Sequence, residues 1–351
     1  MQIKKSNIQS KLIVEPAPHI NHRDSVPKIM WGVFISLVPS AVWSVYFFGI
    51  PALTIILISV ITCMITELIF NILKKTPLTI WDGSAAVTGI LFAFTLPAYV
   101  PLYVPIIGSI FAIAVVKQLF GGLGYNIMNP ALAARVFVMF SWPTLLTANK
   151  YFLPTTSPES LGINFNIISG ATPMHLLKEV VHTGKIDNYY DAWSLILGKT
   201  PGAIGEVSVL FLTIGALYLF KKKYITYHIP LSFILTVVIL TFIYGLARGI
   251  SINPEYSLLK NSLLYSYLHI ISGGLILGAF FMSTDMVTTP LTKKGELIVG
   301  VGLGILTFII RIFGSYPEGV MFSILLMELV VPLIDRSIKP KIYGWGKYET
   351  K

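Results

Sequence analysis

The chain has 351 residues, of which 54% are hydrophobic and only 12% are charged, and its formal net charge is +10. Soluble domains are about 25% charged, and apolar runs long enough to cross a hydrocarbon core of about 30 Å recur here, so we predict a helical protein that crosses the membrane many times. Basic cytoplasmic loops then explain the charge better than a nucleic-acid partner. Cys63 is the only cysteine, which excludes an internal disulfide and a self-contained iron–sulfur cluster.

The apolar runs predict an all-α fold with about ten transmembrane segments. In chain order they lie at about 29–48, 52–73, 84–98, 105–120, 130–147, 207–220, 227–246, 267–283, 296–313 and 319–335. The third, fourth, sixth and eighth are short for a full crossing.

Lysine and arginine orient these segments. With the N-terminus in the cytoplasm, 18 of the 26 basic residues lie on the cytoplasmic side and 7 lie on the opposite side, while Arg135 lies within the start of a helix. Because these residues mark cytoplasmic loops, both termini are expected inside. The predicted regions are a cytoplasmic N-terminal segment (1–28), a first transmembrane half (29–148), an extracytoplasmic loop (149–206), a second transmembrane half (207–335) and a cytoplasmic tail (336–351).

Glycine and proline interrupt the two halves in a similar way. In the first half a short helix opens at Asp82 and ends at Pro97, and in the second half Ser272-Gly273-Gly274 interrupts a short segment. Five segments per half is an odd number, so the halves would form inverted repeats, and broken segments in such halves indicate a central site near the middle of the membrane. The alternative is that glycine only lets helices pack closely.

The long loop carries the tetrapeptide Ser169-Gly170-Ala171-Thr172. A threonine between small residues, on the water side of a helical bundle, offers an exposed hydroxyl to which flavin mononucleotide (FMN) could be joined through its phosphate. The alternative is a helix N-cap, because Pro173 follows Thr172 and suits the first position of a helix. The spacing by itself favours the cap.

Four acidic residues in or near the membrane are candidates for an ion path, because such residues are costly there and usually functional. Asp82 opens the third segment and Asp335 closes the tenth, while Glu67 and Glu328 lie deeper. Their carboxylates could bind Na⁺ or carry H⁺. The alternatives are that Asp82 caps a helix, that Asp335 pairs with Arg336 or Lys339, and that Glu67 and Glu328 are structural. Arg135 could partner one of these acids.

Several motifs together resemble one known family over roughly residues 25–339. The chain is similar to the D subunit (RnfD) of the Rnf-type ion-translocating electron-transport complex, which is related to the B subunit of the sodium-pumping NADH:quinone reductase. The motifs are Asp82-Gly83-Ser84-Ala85 with Thr95-Leu96-Pro97, Gly121-Gly122-Leu123-Gly124-Tyr125-Asn126 with Asn129-Pro130-Ala131-Leu132-Ala133-Ala134-Arg135, Ser169-Gly170-Ala171-Thr172-Pro173, Ser283-Thr284-Asp285-Met286-Val287-Thr288-Thr289-Pro290, Tyr316-Pro317-Glu318-Gly319 and Val331-Pro332-Leu333-Ile334-Asp335.

The resemblance implies a membrane protein that relays electrons between ferredoxin and NAD while Na⁺ or H⁺ is moved. It implies covalent FMN on Thr172, attached by a flavin transferase, with the flavin loop on the outer face of the inner (cytoplasmic) membrane. Nicotinamide and iron–sulfur chemistry would belong to the A, B, C, E and G components of the complex. Asn126 and Asn129 would either bind a second, non-covalent flavin or serve only in a loop.

Two other classes of function stay open. A small-solute transporter or channel without flavin would also fit inverted repeats with central breaks, and it would purify colourless. A scaffold that only positions redox partners would pump unchanged after replacement of Asp82, Glu328 or Asp335.

Overall fold

The structure is a computed structural model that describes residues 24–146, 172–183, 192–198, 200–206, 209–253, 255–314, 316 and 318–340. These residues are helical, apart from turns and an isolated antiparallel bridge between Pro97 and Ala203. The helices are α1 (Val26–Phe48), α2 (Ile50–Lys74), α3 (Ser84–Thr95), α4 (Tyr103–Ile110, continued by a π-helix over Phe111–Gln118), α5 (Pro130–Ser141), α6 (Pro173–Thr183), α7 (Ala192–Leu197), α8 (Val209–Lys222), α9 (His228–Arg248), α10 (Leu258–Ile271), α11 (Leu275–Leu277, continued by a π-helix over Gly278–Met282), α12 (Lys293–Phe313) and α13 (Val320–Ser337).

Several helices are suited to the membrane. Among the described residues, α1, α2, α9 and α12 are long and apolar enough to cross it, and α10 with the segment Leu275–Met282 makes a fifth candidate that is bent by 60°. Each of the ten predicted segments also coincides with a helix. The prediction of a polytopic helical membrane protein is therefore confirmed.

Three predicted boundaries were wrong. The third segment ends at Thr95 rather than at residue 98, because the backbone of Leu96 is extended and its carbonyl accepts a hydrogen bond from Ile204 N at 2.9 Å. The fifth ends at Ser141 rather than at residue 147. The eighth begins at Leu258 and breaks after Ile271, where Gly273 and Gly274 have positive φ angles of 70° and 65°, a conformation that glycine adopts without strain.

The same helix pairs pack in both halves. The second helix of the first half, α2, packs on α3 and α4, and its counterpart α9 packs on α10 and α12. Between the halves, α1 packs on α8 and α5 on α13. One apolar core runs through both halves and includes Leu37, Phe92, Phe233 and Leu303.

Candidate functional site

Thr172 is the N-cap of α6. Its side-chain Oγ accepts a hydrogen bond from His175 N at 3.3 Å, and its carbonyl accepts from His175 N and Leu176 N at 2.9 and 3.2 Å. Pro173 occupies the first helical position, where its missing N–H costs nothing. The capping role of Thr172 is therefore confirmed. Ser169, Gly170 and Ala171 lie outside the described residues.

The expected exposed hydroxyl is wrong, because Thr172 is only 4% exposed. The reason lies in α6, whose apolar face carries Met174, Leu177 and Val180 into a core shared with α10 and α12. This packing draws the start of the helix against the protein. Lys178 on the same helix donates a hydrogen bond to Gly314 O, and its pKa is lowered by partial burial.

Glu67 and Asp82 belong to one buried polar network centred on Lys117. The Lys117 ammonium is 2.7 Å from Glu67 Oε1 and 2.6 Å from Ser84 Oγ. Ser84 in turn donates to Asp82 Oδ1 from its hydroxyl at 2.6 Å and from its backbone N–H at 2.8 Å. Thr79 also donates to Glu67 Oε1, at 2.9 Å. Asp82 thus orders the start of α3 by binding Ser84, but it is not the N-cap that we considered as an alternative, since that position is Gly83. Glu67 is the buried partner of a lysine.

Glu328 connects the two halves of the protein. Its Oε2 accepts from Asn129 N at 2.8 Å, and its Oε1 accepts from Thr288 Oγ1 at 3.0 Å. Asn129 is the N-cap of α5, since its Oδ1 accepts from Ala131 N at 3.0 Å. A buried carboxyl on α13 therefore holds the start of a helix in the first half.

Asp335 lies seven residues further along α13, where its Oδ1 accepts from Leu291 N at 3.1 Å. It thus holds the loop before α12. The four predicted acids form two separate groups, one on α2 and the start of α3, the other on α13.

A cavity of about 80 Å³ lies between these two groups. Ser84 and Lys117 line it from the first network, and Asn126, Asn129 and Asp285 line its other side. Burial raises the pKa of Asp285, opposed by hydrogen bonds from Val287 and Asn126. The side-chain amides of Asn126 and Asn129 donate to the carbonyls of Met128 and Met282, both at 3.2 Å. Both asparagines thus make hydrogen bonds within the protein.

Sequence reasoning missed several charged residues. Lys117 was one of the 18 basic residues counted on the cytoplasmic side, whereas it is buried in the π-helix that follows α4. Arg311 was one of the 7 counted on the opposite side, whereas it is buried in α12. It gave no role to Glu206, which lines a second cavity together with Arg135 and Glu318. In the sequence each of these residues is a single charge within or beside an apolar stretch, which does not indicate the residue with which it pairs.

These features define a class of protein: a polytopic helical membrane protein with charged networks buried within and between two packed halves. The chain matches the NQR2, RnfD, RnfE family over residues 13–344 and belongs to that family. This confirms the resemblance based on the motifs.

Three relatives indicate the kind of complex. The chain is 42% identical to the D subunit of the Na(+)-translocating ferredoxin:NAD(+) oxidoreductase complex of Acetobacterium woodii, over 96% of each chain. It is 41% identical to the D subunit of the proton-translocating ferredoxin:NAD(+) oxidoreductase complex of Clostridium ljungdahlii, over 98% of each chain. It is 37% identical to the D subunit of the ion-translocating oxidoreductase complex of Stutzerimonas stutzeri, over 92% of this chain and 93% of that one.

Proposed function

We propose that this chain is the D subunit of an Rnf-type complex that couples electron transfer between ferredoxin and NAD to ion transport. In this proposal it relays electrons through FMN held as a phosphoester on Thr172, and it contributes to the path of Na⁺ or H⁺. The observation that carries the proposal is the near full-length similarity to the D subunits of two ferredoxin:NAD(+) oxidoreductases. The position of Thr172 at the start of a packed helix adds support.

The surroundings of Thr172 fit the phosphate of FMN. The N-terminus of a helix favours a phosphate, because its backbone N–H groups and dipole are positive there, and Thr172 is at this end of α6. After esterification the Oγ atom of Thr172 still has lone pairs, so it can still accept the capping hydrogen bond from His175 N. Because Thr172 is buried, the part of the protein around it must make room before a flavin can be attached. Attachment would be made by a flavin transferase.

The residues of this chain would hold the flavin in place. A bound flavin supplies transfer of one or two electrons, while the protein sets its position and electrostatics. Thr172 would anchor it, and Met174, Leu177 and Val180 fix the anchoring helix on α10 and α12. Because the chain has one cysteine, the iron–sulfur clusters would belong to the other components of the complex, A, B, C, E and G. The nicotinamide chemistry would belong to these components as well.

The proposed topology has ten crossings of the inner (cytoplasmic) membrane in two inverted five-helix repeats, with both termini in the cytoplasm. The equivalent packing of α2 and α9 on the helices that follow them supports the repeat. In this topology the loop 149–206, including Ser169, Gly170 and Ala171, lies on the outer face.

The proposed ion path uses the two acidic groups that flank the larger cavity, Asp82 with Glu67 and Glu328 with Asp335. Relatives of nearly equal identity are named for Na⁺ and for protons, so the proposal covers both ions. A second, non-covalent flavin would lie beside Asn126 and Asn129, which line this cavity, and the cavity would have to widen to hold its ring system.

The experiment measures the intact mass of the chain isolated with its complex, and of variants at Thr172. Thr172→Asn keeps a side chain that caps helices well but removes the hydroxyl. We expect the wild-type chain to carry the added mass of one FMN and the variant to carry none. Thr292→Ala is the matched control, because Thr292 caps α12 through Gly295 N at 3.1 Å and its loss should leave the flavin in place. Flavin retained on Thr172→Asn would refute the assignment.

A small-solute transporter without flavin is the second candidate. The break between α10 and α11 favours it, since broken helices bind substrates in many transporters. This candidate predicts a wild-type chain of unmodified mass and an uptake activity that Thr172→Asn leaves unchanged.

A further inference from the structure

The second cavity, of about 40 Å³, lies where the broken segments of the two halves meet. Phe94 and Thr95, at the end of α3, line it from the first half, and Gly273 and Gly274, at the break after α10, line it from the second. Its charged lining residues are Arg135, Glu206 and Glu318. None of the four acids proposed for the ion path lines it.

Glu206 and Glu318 both line this cavity, where the carboxyl of Glu318 acts on that of Glu206 through its charge and as a hydrogen-bond partner. An ionised carboxylate is only an acceptor, so a hydrogen bond between two carboxyl groups requires a proton on one of them. Glu318 Oε2 is 3.8 Å from Arg135 Nη2, which favours the ionised form of Glu318. Glu206 Oε2 accepts a long hydrogen bond from Ala203 N, at 3.4 Å. The proton therefore belongs on Glu206.

Among the described residues, further charged and titratable groups on the helices packed in this region belong to α12, α10 and α6. Arg311 on α12 acts on both glutamates through its charge, and its guanidinium donates to the carbonyls of His269, Ser272 and Gly273 at 2.6, 3.1 and 3.2 Å. His269 on α10 is next to Arg311, and Lys178 on α6 donates to Gly314 O. Burial, followed by the neighbouring Glu318, raises the pKa of Glu206 well above its ordinary value.

The flavin-bearing helix of the proposed function contacts this site. A Cβ on Gly273 would lie 2.4 Å from Met174 Cγ and 3.1 Å from Arg311 Nη2, so Met174 on α6 and the arginine both pack on the broken backbone. Beside the cavity, Arg311 Nε and Ser272 Oγ are buried and have no hydrogen-bond partner among the described residues. Buried polar atoms of this kind are often bridged by water.

We propose that Glu206 and Glu318 form a proton-binding site at the junction of the two halves, with Arg135 as the fixed counter-charge. On deprotonation the proton passes from the Glu206 carboxyl to water, and Glu206 becomes a carboxylate like Glu318. The site takes a proton rather than Na⁺, because a hydrogen bond between two carboxyl groups is made through a proton. Its place in an ion path rests on the proposed function, whereas the shared proton does not.

Infrared spectroscopy of the purified complex at pH 7 tests this proposal. We expect a band from a protonated carboxyl that shifts in D₂O and that Glu206→Gln removes. The glutamine amide can still donate to Glu318, so this variant keeps the geometry. Glu318→Gln should move the band, because the acceptor of the proton changes from a carboxylate to an amide. If Glu206→Gln does not fold, the shift of the infrared band in Glu318→Gln tests the proposal. Glu255→Gln, at an exposed glutamate, is the control and should leave the band unchanged.

Two results would overturn the proposal: a band unaffected by both glutamine variants, or a band removed from the wild-type protein by Na⁺. The Thr172→Asn variant should keep the band, since the carboxyl pair needs no flavin. Loss of the flavin mass and loss of the infrared band are therefore separate results, and they test the proposed function and the proton site separately.

Discussion

Removing the lysine of the buried Lys117–Glu67 pair should strongly destabilise the protein. The charged atoms are 2.7 Å apart, and the side chains are only 3% and 1% exposed. Coulomb's law gives an attraction of about 6 kcal/mol at an effective dielectric constant of about 20, part of which offsets desolvation. Removing one partner of a buried pair leaves an uncompensated charge and costs about 3–5 kcal/mol. We expect Lys117→Met to lower the free energy of unfolding by that amount.

A double-mutant cycle measures this effect. Glu67→Gln with Lys117→Met removes both charges, and we expect it to recover about 2 kcal/mol or more relative to the sum of the single variants. The assay is unfolding of the purified chain in mixed micelles with increasing SDS. The matched control is Lys28→Met, because Lys28 and Asp24 are 2.6 Å apart but the lysine side chain is 56% exposed, so its loss should cost less than about 1 kcal/mol.

The reasoning is refuted if Lys117→Met costs no more than Lys28→Met. The double variant also separates two roles of Glu67. A stable double variant that still transports ions in the reconstituted complex would give Glu67 a purely structural role. A stable double variant without transport would place Glu67 in the ion path.

Three further predictions concern packing, pH dependence and transport. A Cβ on Gly89 would lie 2.6 Å from Val60 Cα, so Gly89→Ala should force α2 and α3 apart and cost about 1–3 kcal/mol in the same assay; Gly302→Ala, which meets only the end of a flexible methionine, should cost less. The pKa of Glu206 is raised on folding, so the folded chain keeps a proton that the unfolded chain loses above about pH 4.5, and wild-type stability should fall as pH rises past that value. The melting temperature of Glu206→Gln should therefore rise relative to that of the wild type as pH increases. A difference in melting temperature that does not change with pH would contradict this. Glu328→Gln should stop ion transport by reconstituted complex while the chain keeps its flavin mass, and undiminished transport would exclude Glu328 from the path.

The helices could be predicted from sequence because their signal is local. A run such as Ile50–Lys74 shows its membrane character in its own composition, and Gly273 with Gly274 already indicated an interruption. Boundaries were less predictable: α3 ends at Thr95 because Leu96 pairs with Ile204, more than a hundred residues away.

The sequence by itself determined the class of protein, the approximate positions of the apolar helices and the family motifs, because hydrophobicity and motif residues are properties of short stretches of chain. The tertiary structure decided which charges meet. Lys117 reaches Glu67 across 50 residues, Asn129 reaches Glu328 across 199, and Glu206 meets Glu318 only where the two halves join. A buried charge needs a partner because the interior solvates it poorly, and only the packing of the helices determines which residue that partner is.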